Sequence, residues 1–317
     1  MRRWARAFLA LLLAGLPVGA AGEPLKLMIP ASPGGGWDTT ARAVLAALDT
    51  SGLHRAAGVQ VVNQGGAGGT AGLIEFARTM RGSDRAMMIM GATLVGAIYT
   101  NRSPVTLDQV APLARLTTEH SALAVASSSP FKTLKDLTDA LRADPAKVPV
   151  GGGVVGGVDH VTLALIGRAI GAPMAKLSFV SYQGGAQVGA AVSGKVAAAI
   201  AGAWEVKPYA DTGRLRVLAV MSGTRIPGVN APTLKESGID VVISNWRGLV
   251  GPPGMSPAGR AALIDLLDRM HVSKPWQETL KSQSWDDAYL SGDAFGAFLK
   301  DENGRIGAVL REVGLVK

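Results

Sequence analysis

Glycine-rich loops that open helices carry the chemistry this chain can offer. Pro33-Gly34-Gly35-Gly36 runs into Trp37-Asp38-Thr39, Gly65-Gly66-Ala67-Gly68-Gly69 into Thr70, and Gly151 to Gly157 into Val158-Asp159-His160; Gln183-Gly184-Gly185-Ala186 repeats the pattern. The first N–H groups of a helix have no partner inside it, and the dipole there favours negative charge, so such a loop lets an anion reach bare amides. A turn that needs positive φ accounts for any one block taken alone. Repetition at several strand ends points to a shared site for a small anion.

The candidate ligand-binding residues are Gly35, Gly36, Trp37, Asp38 and Thr39 in the first block, and Gly66, Gly69 and Thr70 in the second. Thr93 follows a third strand end, Gly156 and His160 belong to the long glycine loop, Gln183, Gly184, Gly185 and Ala186 form the fourth block, and Trp204 follows a later strand. Hydroxyls of Thr39, Thr70 and Thr93 donate to a carboxylate without adding charge, or cap their own helices. Asp38 would repel an anion and fits better as a first-turn residue that organises its loop. For His160 a structural hydrogen bond is the favoured role, and Trp204 serves either as cleft wall or as core. Arg247 either grips a carboxylate or forms a hinge or interlobe salt bridge.

Catalysis lacks its usual parts. No lysine follows Gly34 to Gly36 in the Walker manner, no Gly-x-Ser-x-Gly elbow occurs, and His54, His120, His160 and His271 are dispersed. There are no cysteines, which removes disulfides, thiolate metal sites and a cysteine nucleophile. Neither a cofactor nor a metal is expected.

The elements that must position these loops alternate. Leu25 to Pro30 reads as a strand, and Trp37, Ala41, Val44, Leu45 and Leu48 form the apolar stripe of a following helix. Val59 to Asn63 and Arg85 to Met90 read as further strands, and Leu73, Ala77 and Met80 as a second stripe. Three strand ends would then deliver small polar loops to one edge of a parallel sheet. Leu123 to Ala126 reads as a crossing into a second lobe with strands at Lys195 to Ala201 and Leu215 to Val220, and Val241-Val242-Ile243 as the crossing back. The C-terminal part reads as helices with an extended piece near Ala288-Tyr289-Leu290. The expected fold class is α/β and two-lobed, of Venus-flytrap type, with a ligand cleft between the lobes. Lobe one is expected over 23–122 plus 246–317, and lobe two over 123–245.

Arg2, Arg3 and Arg6 precede an apolar run from Ala7 to Leu16, and Val18-Gly19-Ala20 offers small residues for cleavage, so 1–20 reads as a removed export signal. Its loss takes away three arginines and no acids, lowering the formal charge from +8 to +5. The remaining charges are dispersed and aromatics are sparse at 5%, which argues against nucleic acid as a partner. No later apolar segment is long enough to insert in a membrane. A chain 48% apolar over its full length, with nearly 300 residues after cleavage, is able to stabilise itself by core burial without disulfides.

Four ordered blocks, Pro33-Gly34-Gly35-Gly36-Trp37-Asp38-Thr39-Thr40-Ala41-Arg42, Asn63 to Gly69, Tyr182 to Ala186, and Trp246-Arg247-Gly248-Leu249-Val250-Gly251-Pro252-Pro253-Gly254, resemble the tripartite tricarboxylate transporter receptors, also called Bug proteins. The resemblance spans nearly the whole mature chain. It implies a periplasmic, monomeric solute-binding protein that delivers a small di- or tricarboxylate, citrate-like, to a two-component membrane permease. Gly82-Ser83-Asp84-Arg85 departs from the family's Asp-Gly-Tyr turn, whereas the Trp-Asp and Trp-Arg-Gly variants look closer to its tricarboxylate-binding branch. A ligand sensor for a two-component signalling system is the alternative, since it needs the same closing cleft; an exported enzyme is the third.

Overall fold

Apolar strands interrupted by glycine build two sheets whose parallel parts point at each other. The structure, a computed structural model, describes residues 24–55, 58–182 and 185–316; the expected export signal lies outside them. In the first sheet β1 (Leu25–Ile29) leads through the 30–35 loop into α1 (Gly36–Thr50). The buried face of α1 carries Ala41, Val44, Leu45 and Leu48 of the stripe read from the sequence, whereas its first member, Trp37, is half-buried. β2 (Val59–Asn63) leads into α2 (Thr70–Thr79), and β3 (Ala86–Gly91) into α3 (Ala92–Thr100). β1 lies between β2 and β3, parallel to both, so all three release their loops on one edge.

β4 (Ala111–Glu119) then leads past His120 into β5 (Ser121–Ala126), the first strand of the second sheet. That sheet continues, after α4 (Leu134–Ala143), with β6 (Val150–Gly152), α5 (Val158–Ile170), β7 (Phe179–Ser181), α6 (Ala186–Val192), β8 (Ala198–Gly202), α7 (Ala203–Asp211) and β9 (Leu215–Val220). Its order is β7-β6-β8-β5-β9, with β6 parallel to β7 and β8 and β5 antiparallel to its neighbours. The chain returns through β10 (Asn245–Gly251), which inserts between β3 and β4 antiparallel to both. α8 (Pro257–His271), α9 (Lys274–Gln283), β11 (Asp286–Ser291) and α10 (Gly292–Glu312) follow, and the first sheet reads β11-β4-β10-β3-β1-β2.

The connections between the sheets run side by side: Met221 N–H donates to Ser121 O at 3.0 Å and Ile243 N–H to Met221 O at 3.1 Å. One apolar core is continuous from Phe76, Leu94 and Phe295 beside the first sheet to Leu137, Val161 and Ile166 beside the second. Trp246, fully buried, packs edge-on against Phe295 and Phe298 and donates its indole N–H to Glu302.

Three element readings change. Val241-Val242-Ile243, read as the crossing back, forms no paired strand of its own: Val241 N–H donates to Ile239 O and Ile243 N–H to Met221 O, and the paired strand begins at Asn245. β8 begins at Ala198 rather than Lys195, because Gly194 at φ +72° and the bond from Lys195 N–H to Ala190 O still belong to the turn closing α6. No loop separates β3 from α3, because Gly91 packs its backbone against Trp246 O of β10 and passes directly into the helix.

Candidate functional site

The first loop is shaped by Asp38. Its carboxylate accepts from Gly34 N–H at 2.9 Å, from Arg42 Nε at 2.8 Å and from Asn63 Nδ2 at 2.9 Å, the last at the end of β2. The Arg42 bond, helped by Gly34 and Asn63 against the cost of burial, holds it at about 2. With its oxygens thus engaged, Asp38 ties two loops together. Thr39 Oγ1 donates to Gly35 O, and Thr40 Oγ1 to Gly36 O at 3.0 Å. A Cβ on Gly36 would meet the Arg247 guanidinium at 2.9 Å, so glycine is what allows the helix start to lie on that side chain.

The second loop turns by four successive residues of positive φ: Gly66 at 127°, Ala67 at 48°, Gly68 at 63° and Gly69 at 95°. Thr70 Oγ1 and Asn101 Nδ2 both donate to Ala67 O, at 2.9 and 2.8 Å, and pin the only non-glycine of the four. The Trp37 ring covers Gly69 so closely that a Cβ there would sit 2.6 Å from it.

On the opposite side, the loop after β6 is clamped from below. Asp159 accepts Gly153 N–H at 2.9 Å, Ser181 Oγ donates to Gly153 O at 2.6 Å, and His160 Nδ1 accepts Gly156 N–H at 3.2 Å. The His160 ring stacks on Phe179 at 4.2 Å, and burial lowers it to about 4, so it stays neutral and free to accept. The loop meets α3 backbone to backbone, with Gly156 O against Gly96, and Gly157 lies beside Thr93. Gly185, at φ +81°, caps α6, which Ala186 begins. Gln183 and Gly184 lie outside the described residues.

Where the two sheets face each other lies a cleft of about 610 Å³. The structure brings Gly36, Trp37, Gly66, Gly69 and Thr93 to its lining. Gly35, Asp38, Thr39, Thr70, Gly156, His160, Gly185, Ala186 and Trp204 are absent from that lining; Trp204 instead borders a smaller cavity of about 210 Å³ with His120 and Trp285. The lining also includes Arg247, weighed from the sequence as a carboxylate grip or a salt-bridge residue, and residues that sequence reasoning did not select, notably Ser32, Val154, Glu119, Glu205 and Asn245. Glu119 ends β4 and accepts from Asn245 Nδ2 at 2.9 Å and from Arg247 on β10. Arg247, 8% exposed, also donates to Thr40 Oγ1 at 3.2 Å, so it acts as a bolt between crossing and loop. Pairing of residues over a hundred positions apart leaves no local pattern to read.

None of the four histidines lines the cleft, and among the described residues no group of three or more His, Cys, Asp or Glu side chains is placed to hold a metal. What the cleft offers is backbone from the start of α1 and from the 65–69 loop that precedes α2, with hydroxyls from Ser32 and Thr93. Two lobes of parallel strand ends around such a cleft define a binding protein for a small solute.

The chain belongs to the family described as tripartite tricarboxylate transporter family receptor (TctC), which matches residues 46–315. It is 27% identical over 309 residues to Protein BugT of Bordetella pertussis, a match covering 92% of this chain and 90% of that protein. A TctC solute binding protein from Polaromonas, solved without ligand, superposes with a TM-score of 0.74 at 28% identity over 92% of this chain and 99% of its own. MatC from Rhodopseudomonas palustris, solved with bound malate, shares the fold with a TM-score of 0.71 at 20% identity over 94% of this chain and 100% of its own. The chain is therefore a receptor of the periplasmic solute-binding kind.

Proposed function

We propose that this protein captures a small di- or tricarboxylate in the cleft between its lobes and hands it to a two-component membrane permease. The observation that carries the reading is the lining of one cleft by Gly36 at the start of α1 and by the 65–69 loop before α2, both following parallel strands, where helix-start backbone favours an anion. Malate in MatC is a ligand of the same chemistry. Lobe one is taken as 23–122 plus 246–317 and lobe two as 123–245, with residues 1–20 removed on export and the mature monomer acting in the periplasm. Because the lining holds no histidine and no nucleophile with its base, the bound acid is released unchanged.

Native mass spectrometry of the purified protein, followed by incubation with citrate, malate and succinate, tests this. A stoichiometric carboxylate recovered intact is expected. A retained solute with no carboxylate, or turnover of the added acid, would overturn it.

A further inference from the structure

The charges on the cleft wall are unequally placed. On the side of the first sheet the lining, Pro30, Ala31, Ser32, Gly36, Trp37 and 65–69, carries no charged side chain. From the opposite side α7 presents Glu205, and the crossing presents Glu119. Arg247 is the one cation among the described lining residues, and it is buried and committed to Glu119 and Thr40. Two carboxylates against one engaged guanidinium leave the wall one negative charge in excess.

Glu205 is the source of that excess. Among the described residues its only hydrogen-bond donor is Gly202 N–H, at 3.3 Å to Oε2, and its exposed side chain lines the cleft with no cation bound to it. Partial desolvation in the cleft and the nearby Glu119 push its carboxyl upward against the Gly202 bond and Arg247, and Asp159 is pushed to about 7 by burial, with Glu205 and Glu119 adding to the rise. A ligand carrying only carboxylates is drawn to the amide side and repelled by this one.

We propose that the solute of this cleft is a carboxylate that also carries a protonated nitrogen, its carboxylate set against the amides of Gly36 and the 65–69 loop and its ammonium donating to Glu205. The inference rests on the carboxylate-receptor reading above and narrows it to a zwitterionic class. An ammonium answers the unpaired carboxylate with a charge-assisted bond, which a hydroxyl or a methylene at the same carbon cannot match.

Malate and aspartate, which differ by a hydroxyl against an ammonium on one carbon, form the matched probe, read by titration calorimetry on the full mature chain. Aspartate is expected to bind about tenfold or more tightly than malate, the ratio one charge-assisted hydrogen bond supports. Glu205→Gln, which keeps a side-chain acceptor for Gly202 N–H, is expected to bring the ratio to within about threefold. Its melting curve reports whether the fold is kept, and the wild-type ratio stands as a test by itself. Malate binding as well as aspartate, or a ratio that Glu205→Gln leaves unchanged, would overturn the zwitterion inference alone. Native mass spectrometry separates the two readings: a co-purified carboxylate lacking nitrogen overturns this one and leaves the receptor reading standing, whereas a solute lacking any carboxylate overturns both.

Discussion

Arg247 on β10 and Glu119 at the end of β4 clasp each other across adjacent strands at the point where the chain passes between the sheets. Arg247 is almost wholly buried and Glu119 is 26% exposed at its side chain, so neither charge is well hydrated once its partner is lost. The same guanidinium supports the start of α1 through Thr40. The pair therefore couples the crossing to the floor of the cleft.

Arg247→Met is expected to destabilise the protein by about 2–3 kcal/mol, because it leaves Glu119 without its cation beside the carboxylate of Glu205. Adding Glu119→Gln should recover a large part of that loss. Chemical denaturation of the two single variants and the double variant gives the coupling directly; strictly additive effects would show that the two side chains stand independently.

Gly69→Ala should disturb binding more than stability. The position sits at φ +95° under the Trp37 ring, so a methyl group must displace that ring, which lines the cleft. A backbone cost of about 1 kcal/mol is expected. Ligand at 100 times its dissociation constant stabilises a protein by roughly 2.7 kcal/mol, and the variant should lose most of this gain at the same concentration. Paired thermal melts, with and without the solute found by mass spectrometry, measure both quantities. An undiminished ligand shift would place Trp37 outside the contact.

Much of the cleft was legible because its turn chemistry is local. Gly34 to Gly36 and Gly65 to Gly69 announce positive φ and helix starts within a few residues, and the Ala41, Val44, Leu45, Leu48 stripe fixes which face of α1 is buried. What sequence hid was assembled by the sheets. β4 mixes buried Leu113, Ala114 and Leu116 with Pro112, Arg115 and Glu119, giving no clean period, and so its end at the cleft passed unseen. Glu205 stands beside Trp204, the residue whose size attracted notice, yet it is the glutamate that reaches the main cleft.

Gly96→Ala probes the contact between the lobes. A methyl group there would run into Gly156 O, and a backbone carbonyl has no rotamer to escape into, so the loop of 153–157 must move away from α3. A loss of about 2 kcal/mol is expected from this overpacking. Because Val154 in that loop lines the cleft, solute affinity should fall along with melting temperature. Unchanged affinity in the folded variant would show that the loop's position does not govern the site.

Acid sensitivity should trace to Asp38. Its carboxyl lies at about 2 in the folded protein against an ordinary 3.8, so it contributes stability that is complete above about pH 4 and is lost as pH falls through about 2. Asp38→Asn should cost about 1 kcal/mol at neutral pH and make the decline between pH 4 and 2 shallower. Denaturation midpoints across that range decide it: parallel acid limbs in both proteins would assign the effect to other carboxylates.

The insertion of β10 between β3 and β4 sets an order of events for a nascent chain. Asn245 pairs with Glu119 although 126 positions separate them, so a chain emerging amino end first carries β3 and β4 with their facing edges bare until its last quarter arrives. Bare edges of apolar strands such as Ala86–Gly91 are templates for aggregation, and pairings this distant are slow to form. Translation halted or truncated before residue 245 is therefore expected to yield a sticky fragment rather than a smaller working domain, one that a chaperone covering the bare edges would keep from aggregating.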